Sequence, residues 1–163
     1  MKAPRDLFFG ELLKFALKDP KVLLLFGDVG GTFLDEWLEK VPDQCFNMMM
    51  AEQNMILVAA GLAKEGFKVY CYTIVPFLVF RPLEMIRIYI SHDQLPVRLV
   101  GVGANNSYEA EGITHWSQGD DKVIETLGGI ETWTLEGDCQ VACEASARHT
   151  YEQDRPVYVR LGR

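Results

Sequence analysis

The apolar segments "KVLLLFGDVGG" (21–31), "KVYCYTI" (68–74), "VRLVGVG" (97–103) and "PVYVRLGR" (156–163) are each separated from the next by stretches of helical spacing. Strands that are apolar along their length, rather than alternating, must be covered on both faces, and this is the condition of a parallel sheet. Parallel neighbours also require crossover connections, which the intervening helices supply. The pattern predicts an α/β fold, a three-layer α/β/α sandwich around a mostly parallel sheet. Helices are expected at "LFFGELLKFALKD" (7–19), "FLDEWLEKV" (33–41), "FRPLEMIRIYISH" (80–92), "DDKVIETLG" (120–128) and "CQVACEASARHTYEQ" (139–153). Two shorter strands are expected at "QCFNM" (44–48) and "IETWTL" (130–135).

One further helix, within "MMMAEQNMILVAAGLAKEG" (48–66), is unusual. Its Met55, Ile56, Leu57, Val58, Ala59, Leu62 and Ala63 go most of the way round the cylinder, the pattern of a helix buried on several sides. Yet it opens with Glu52, Gln53 and Asn54. An acid in a first turn is either an ordinary N-terminal charge favoured by the helix dipole or a buried carboxylate kept for chemistry.

A chain of 163 residues with 48% hydrophobic composition fits one domain, 1–163, with a substantial core. The net charge of −7 leaves no basic face for a nucleic-acid partner. Charges interrupt the apolar residues of "MKAPRDLFFGELLKFALKDP", and no apolar run approaches a membrane span, so neither a signal peptide nor a membrane contact is expected. A cytoplasmic protein follows, whose four cysteines are expected to be reduced and packed.

In open parallel sheets ligands bind where loops converge at the carboxyl ends of the strands. Those loops are "GDVGGTF", "MMMAEQN", "TIVPFLVFRP", "GVGANNSYEAEGITHWSQGDD" and the terminal "RLGR". Taken together, "GDVGG", "FNMMMAEQNMILVAAGLAKEGFKVYCYTIVPFLVFRPLEMIR", "LPVRLVGVGANNSYEAEGITH" and "RPVYVRLGR" resemble the pyrimidine-binding domain of transketolases, especially the two-gene type, from about Val22 to Arg163. The resemblance implies a Pyr-type domain that binds thiamine diphosphate.

It also implies roles. Glu52, in "AEQN", matches the glutamate that hydrogen-bonds the aminopyrimidine ring nitrogen, a bond that burial strengthens. Phe77 and Phe80, in "PFLVF", match the aromatic positions that hold this ring, although by spacing alone such a pair is more often plain core. Leu83 stands where some relatives have another aromatic residue. Asp28 matches an acid close to the thiazolium, with a turn cap as its alternative, and Thr32 lies near a substrate-phosphate position. His115, in "GITH", matches a substrate-facing histidine suited to donate to a carbonyl oxygen or shuttle a proton. Glu111 falls where transketolases carry an aspartate that reads a substrate hydroxyl. Arg163 aligns with a phosphate-contacting arginine, with Arg160 as its competitor and an unpartnered surface residue as the alternative.

The chain departs from the family at Ile113, in place of a proline, and in the segment "WSQGDD", where Trp116, Asp120 and Asp121 either shape an altered pocket or form a different loop. Gly103 replaces the histidine of single-chain transketolases. Above all, "GDV", "GDD" and "GDC" are present but Gly-Asp-Gly is not, so the diphosphate and its Mg2+ (or Ca2+) have no motif here. The resemblance therefore implies a separate diphosphate-binding transketolase subunit in a hetero-oligomer, such as a heterotetramer. The transketolase C-terminal domain is expected to be encoded apart, lost or removed. The expected activity is transfer of a two-carbon ketol unit between sugars or sugar phosphates. The alternatives are deoxyxylulose phosphate synthase-like or 2-oxoacid dehydrogenase beta-like chemistry, or a non-catalytic assembly subunit.

Overall fold

In the computed structural model, which describes residues 2–137 and 139–163, the apolar runs line up as one six-stranded sheet. The strands are β1 (Val22–Phe26), β2 (Cys45–Asn47), β3 (Lys68–Ile74), β4 (Arg98–Val102), β5 (Glu131–Leu135) and β6 (Val157–Leu161). Their order is β2-β1-β3-β4-β6-β5, and every neighbouring pair is parallel. The α/β fold class read from the sequence is the one observed. β1 pairs with β2 on one side and β3 on the other, so the direction of winding reverses there and opens a crevice above their carboxyl ends.

Because successive side chains of a strand point to opposite faces, β3 feeds two cores. Tyr70 and Tyr72 pack with Phe8, Phe9, Phe33 and Trp37, from helices α1 (Pro4–Ala16) and α2 (Thr32–Lys40), and with Ala147 of α7 (Gln140–Glu152). Val69 and Cys71 pack with Met55 and Ile56 of α3 (Glu52–Lys64), with Leu78 and Val79 of α4 (Val75–Phe80), and with Ile124 of α6 (Asp120–Leu127). Trp37 is fully buried and satisfies its indole N–H on the Phe9 carbonyl at 3.0 Å. The four cysteines are free thiols, and burial pushes Cys45 up to about 11.

Two elements differ from expectation. "TIVPFLVFRP", read as a loop, contains α4, which follows β3 directly and starts with Val75 and Pro76. A first-turn proline suits a helix start. Val75 can lie against β4 because Gly101 has no side chain: a Cβ there would come within 2.6 Å of Val75 Cγ2. The expected helix 80–92 is interrupted at Arg81–Pro82, resumes as α5 (Leu83–Met85) and passes into a π-wound segment, Ile86–His92. Ile86 and Ile90, on one face of this segment, are both buried in the core.

α3 is also less enclosed than its periodicity suggests. Met55, Ile56, Ala59 and Ala63 are buried, but Leu57 is 41% exposed, and Phe46, Met49 and Met50, nearby in sequence, are exposed too. Among the described residues no helix is long and apolar enough to cross a membrane.

Candidate functional site

Glu52 begins α3, where no side chain caps the helix and Ala51 is the capping residue. Its carboxylate is 3% exposed, and Oε1 accepts a hydrogen bond from Arg81 Nη1 at 2.7 Å. Thus the acid occupies a helix start and is also buried against a single cation. The Arg81 guanidinium carbon stands 3.8 Å from the centroid of the Phe77 ring, a stacking and cation–π distance. Phe77 meets His115 edge-on, with centroids 5.0 Å apart and planes at 69°.

α4 explains this grouping. Phe77 and Phe80 are three residues apart, share a face of the helix, and line a cleft of about 400 Å³ with Pro76, Arg81, Thr114 and Trp116. Pro82, which lacks an N–H, breaks the helix just beyond Arg81 and leaves its side chain free to turn back over Phe77. Opposite stands a 3-10 turn, Ile113–His115, in the loop after β4. His115 Nδ1 shares a hydrogen bond with Thr114 Oγ1 at 3.0 Å, and its ring lies 6.3 Å from that of Tyr108.

Tyr108 links His115 to a second group. Arg163 lies over the Tyr108 ring at 5.0 Å, and its Nη1 is 3.7 Å from Glu111 Oε1. Both members of this ion pair are exposed. At Gly103 the backbone has φ of 87°, and a Cβ there would fall 2.2 Å from Tyr108 Cδ2, so glycine is required for the tyrosine to lie there.

Glu52, Phe77, Phe80 and His115 are brought together, and Glu111 and Arg163 adjoin them through Tyr108. Asp28 and Thr32 lie on the loop after β1 and at the head of α2. Among the described residues no hydrogen bond joins either to the Glu52 group. Asp28, at φ 49°, exchanges two bonds with Asn47: Asn47 Nδ2 donates to Asp28 Oδ1 at 3.2 Å and Asp28 N donates to Asn47 Oδ1 at 3.3 Å.

Arg160 is not available as a second phosphate contact. It is 4% exposed and bound to the fully buried Asp120, so Asp120 is a core residue rather than a pocket wall. Trp116, by contrast, does line the cleft, with its indole N–H on the Glu109 carbonyl at 3.1 Å.

Two residues escaped the sequence reading. Arg81 follows an aromatic pair, and only its fold-imposed return over Phe77 distinguishes it from a surface arginine. Arg5, in the first turn of α1, keeps a buried Nε with no hydrogen-bond partner among the described residues, close to Gly31 of the β1 loop. Also among the described residues, no cluster of three or more His, Cys, Asp or Glu side chains is placed to hold a metal ion. An aromatic-lined cleft, with a buried acid reached through Arg81 and an imidazole against Phe77, can hold a flat nitrogen heterocycle and move protons beside it.

The model of the transketolase pyrimidine-binding domain matches residues 3–163. The chain is 30% identical to an apulose-4-phosphate transketolase subunit of Phocaeicola vulgatus, over 100% of this chain and 52% of that protein. It is 28% identical to the 6-deoxy-6-sulfo-D-fructose transketolase subunit SqwH of a Clostridium species (strain MSTE9), over 96% of this chain and 48% of that one. Among solved structures, a split-gene transketolase described as an inactive beta4 tetramer superposes with a TM-score of 0.84 at 28% identity, covering 99% of this chain and 52% of the other. The chain spans about half the length of these relatives. With nearly its whole length matched, it belongs to the transketolase pyrimidine-binding domain family.

Proposed function

We propose that residues 1–163 form a single pyrimidine-binding unit of a thiamine diphosphate-dependent, transketolase-like transferase that acts together with a diphosphate-binding subunit. The observation that carries this reading is the buried Glu52 carboxylate, which already accepts an N–H from a flat group lying on Phe77. Those are the two contacts an aminopyrimidine ring needs, so the residues present fit the pyrimidine half of the cofactor.

Thiamine diphosphate, when bound, supplies carbanion stabilisation. On this chain Glu52 accepts the hydrogen bond of the ring nitrogen and favours the tautomer able to take up a proton. Phe77 carries the ring face, and Phe80 walls the cleft and excludes water. His115, fixed between Phe77 and Tyr108, presents an imidazole to donate to a substrate oxygen or hold a transferred proton. Asp28 is assigned to the thiazolium side. Glu111 is assigned to a substrate hydroxyl, and Arg163 and Thr32 to an anionic substrate end.

The relatives' substrates by name, a sugar phosphate and a sulfosugar, favour a ketose with an anionic end. Mg2+ or Ca2+ and the diphosphate are assigned to the partner, in a cytoplasmic hetero-oligomer such as a heterotetramer.

The test is calorimetric titration of thiamine diphosphate and magnesium into this chain alone, and then with a candidate diphosphate-binding subunit. Binding that requires the mixture is expected. A folded complex that binds no cofactor would turn the reading to a non-catalytic assembly subunit.

A further inference from the structure

Arg81 makes, within the chain itself, both contacts assigned above to the aminopyrimidine. It donates to Glu52 Oε1 at 2.7 Å, and its guanidinium carbon lies over the Phe77 ring, 3.8 Å from the centroid. A guanidinium combines a flat face that stacks on an aromatic ring with N–H donors along its edge and weak hydration. We infer that Arg81 is an internal occupant of the pyrimidine seat, which must be displaced from Glu52 and Phe77 for the heterocycle to bind. This rests on the reading of Glu52 as the pyrimidine-binding acid.

Three further observations support displacement. First, the two partners differ in exposure: Glu52 is 3% exposed and Arg81 45%, so the acid is fixed and the cation can leave into water. Second, the backbone of Arg81 is anchored independently of its side chain, since Gln53 Nε2 donates to the Arg81 carbonyl at 3.1 Å. The guanidinium can therefore swing without unfolding the end of α4. Third, Arg81 itself lines the cleft assigned to the heterocycle, together with Phe77 and Phe80, so a ring entering that cleft meets the guanidinium.

The physical benefit lies in the empty state. A carboxylate buried at the end of an apolar helix is costly without a partner, and Arg81 supplies one until the ligand arrives. The consequence is a reduced apparent affinity, because only the fraction of molecules with Arg81 displaced can bind. Arg81 would thus set how tightly the pyrimidine half is held without being part of its final contacts.

The experiment is an NMR titration of the full labelled chain, assembled with the candidate diphosphate-binding subunit, with 4-amino-5-hydroxymethyl-2-methylpyrimidine, for the wild type and for R81M, R81K, E52Q and R81M/E52Q. In the wild type the Arg81 side-chain protons should resonate upfield, shielded by the Phe77 ring, and lose that shift as ligand is added. R81M should bind about tenfold tighter, the gain expected when a charge-assisted bond and a stacking contact no longer compete. R81K, which keeps the charge without the flat face, should fall between, and R81M/E52Q should show no gain over E52Q.

Equal or weaker binding by R81M, with E52Q still impaired, would overturn the role of Arg81 while leaving Glu52 as the pyrimidine-binding acid. Binding by none of the folded variants, or binding indifferent to E52Q, would overturn both.

Discussion

Arg160 holds Asp120 by both carboxylate oxygens, Nε to Oδ2 at 2.7 Å and Nη2 to Oδ1 at 3.0 Å, in a place almost closed to solvent. Tyr158 donates to the same Oδ2 at 2.6 Å, and burial together with the Asp120 charge pushes the phenol well above its ordinary value. Nη1 donates to Thr134 Oγ1 at 3.0 Å, and Nη2 also donates to Asn105 Oδ1 at 3.1 Å. One arginine on β6 thereby ties together the head of α6, β5 and the loop that carries His115.

The first prediction follows from that closure. Arg160→Met leaves the Asp120 carboxylate buried without its cation, and removal of one partner of a buried pair costs about 3–5 kcal/mol. Urea unfolding should show a loss of that size. If the midpoint hardly moves, the pair is not a stabilising centre of the fold.

Glu52 is the second. Glu52→Gln preserves size and leaves an amide that can still face Arg81, so folding should change by only about 1 kcal/mol. Activity of the assembled enzyme should fall by roughly 10² to 10⁴, the range for losing a residue that governs proton transfer. Wild-type turnover by a Glu52→Gln complex would remove Glu52 from the chemistry.

The sheet was legible because strands covered on both faces leave runs such as "VLLLF", which alternating polar positions would have broken. α4 was not legible. "VPFLVF" has no polar side, contains one proline and is closely followed by another, and its Val75 can settle on β4 because Gly101 has no side chain. Periodicity likewise showed that Leu57 is apolar but not what it faces, and its exposure identifies a surface that the chain's own sheet does not cover. Glu52, Phe77, Phe80 and His115, which the fold places near one another, each stood in a recognisable stretch and could be singled out as candidates. Arg81 could not, because its meaning comes from a side-chain direction set by the helix break. Nor could the sequence decide between Arg160 and Arg163, since the partner of Arg160 lies 40 residues away at Asp120.

Gly103 supports a third prediction. Its φ of 87° is unfavourable for other residues, and a Cβ would collide with the Tyr108 ring. Gly103→Ala should lower stability by about 1–3 kcal/mol. It should also displace Tyr108 from His115 and Arg163, visible as altered imidazole resonances in NMR. Unchanged His115 signals would show that Tyr108 does not position the histidine.

The last concerns acid. Glu131, on the edge strand β5, accepts a hydrogen bond from Trp133 Nε1 at 2.6 Å and lies 3.1 Å from His149 Nε2. The Trp133 and His149 rings stack with centroids 4.8 Å apart. Burial by itself pushes the Glu131 carboxyl upward, but the Trp133 N–H, His149 and the nearby Arg155 outweigh it and hold the group below its ordinary value of 4.5. A carboxylate more acidic in the folded state adds stability that is present above its unfolded pKa and is lost as pH falls through the folded one. The β5 edge should therefore loosen below about pH 4.5, seen as faster amide exchange at Trp133 and a change in its fluorescence. Glu131→Gln removes the titrating group, so this acid-dependent phase should vanish while the rest of the unfolding curve keeps its shape. Persistence of the phase in that variant would assign it to another carboxylate.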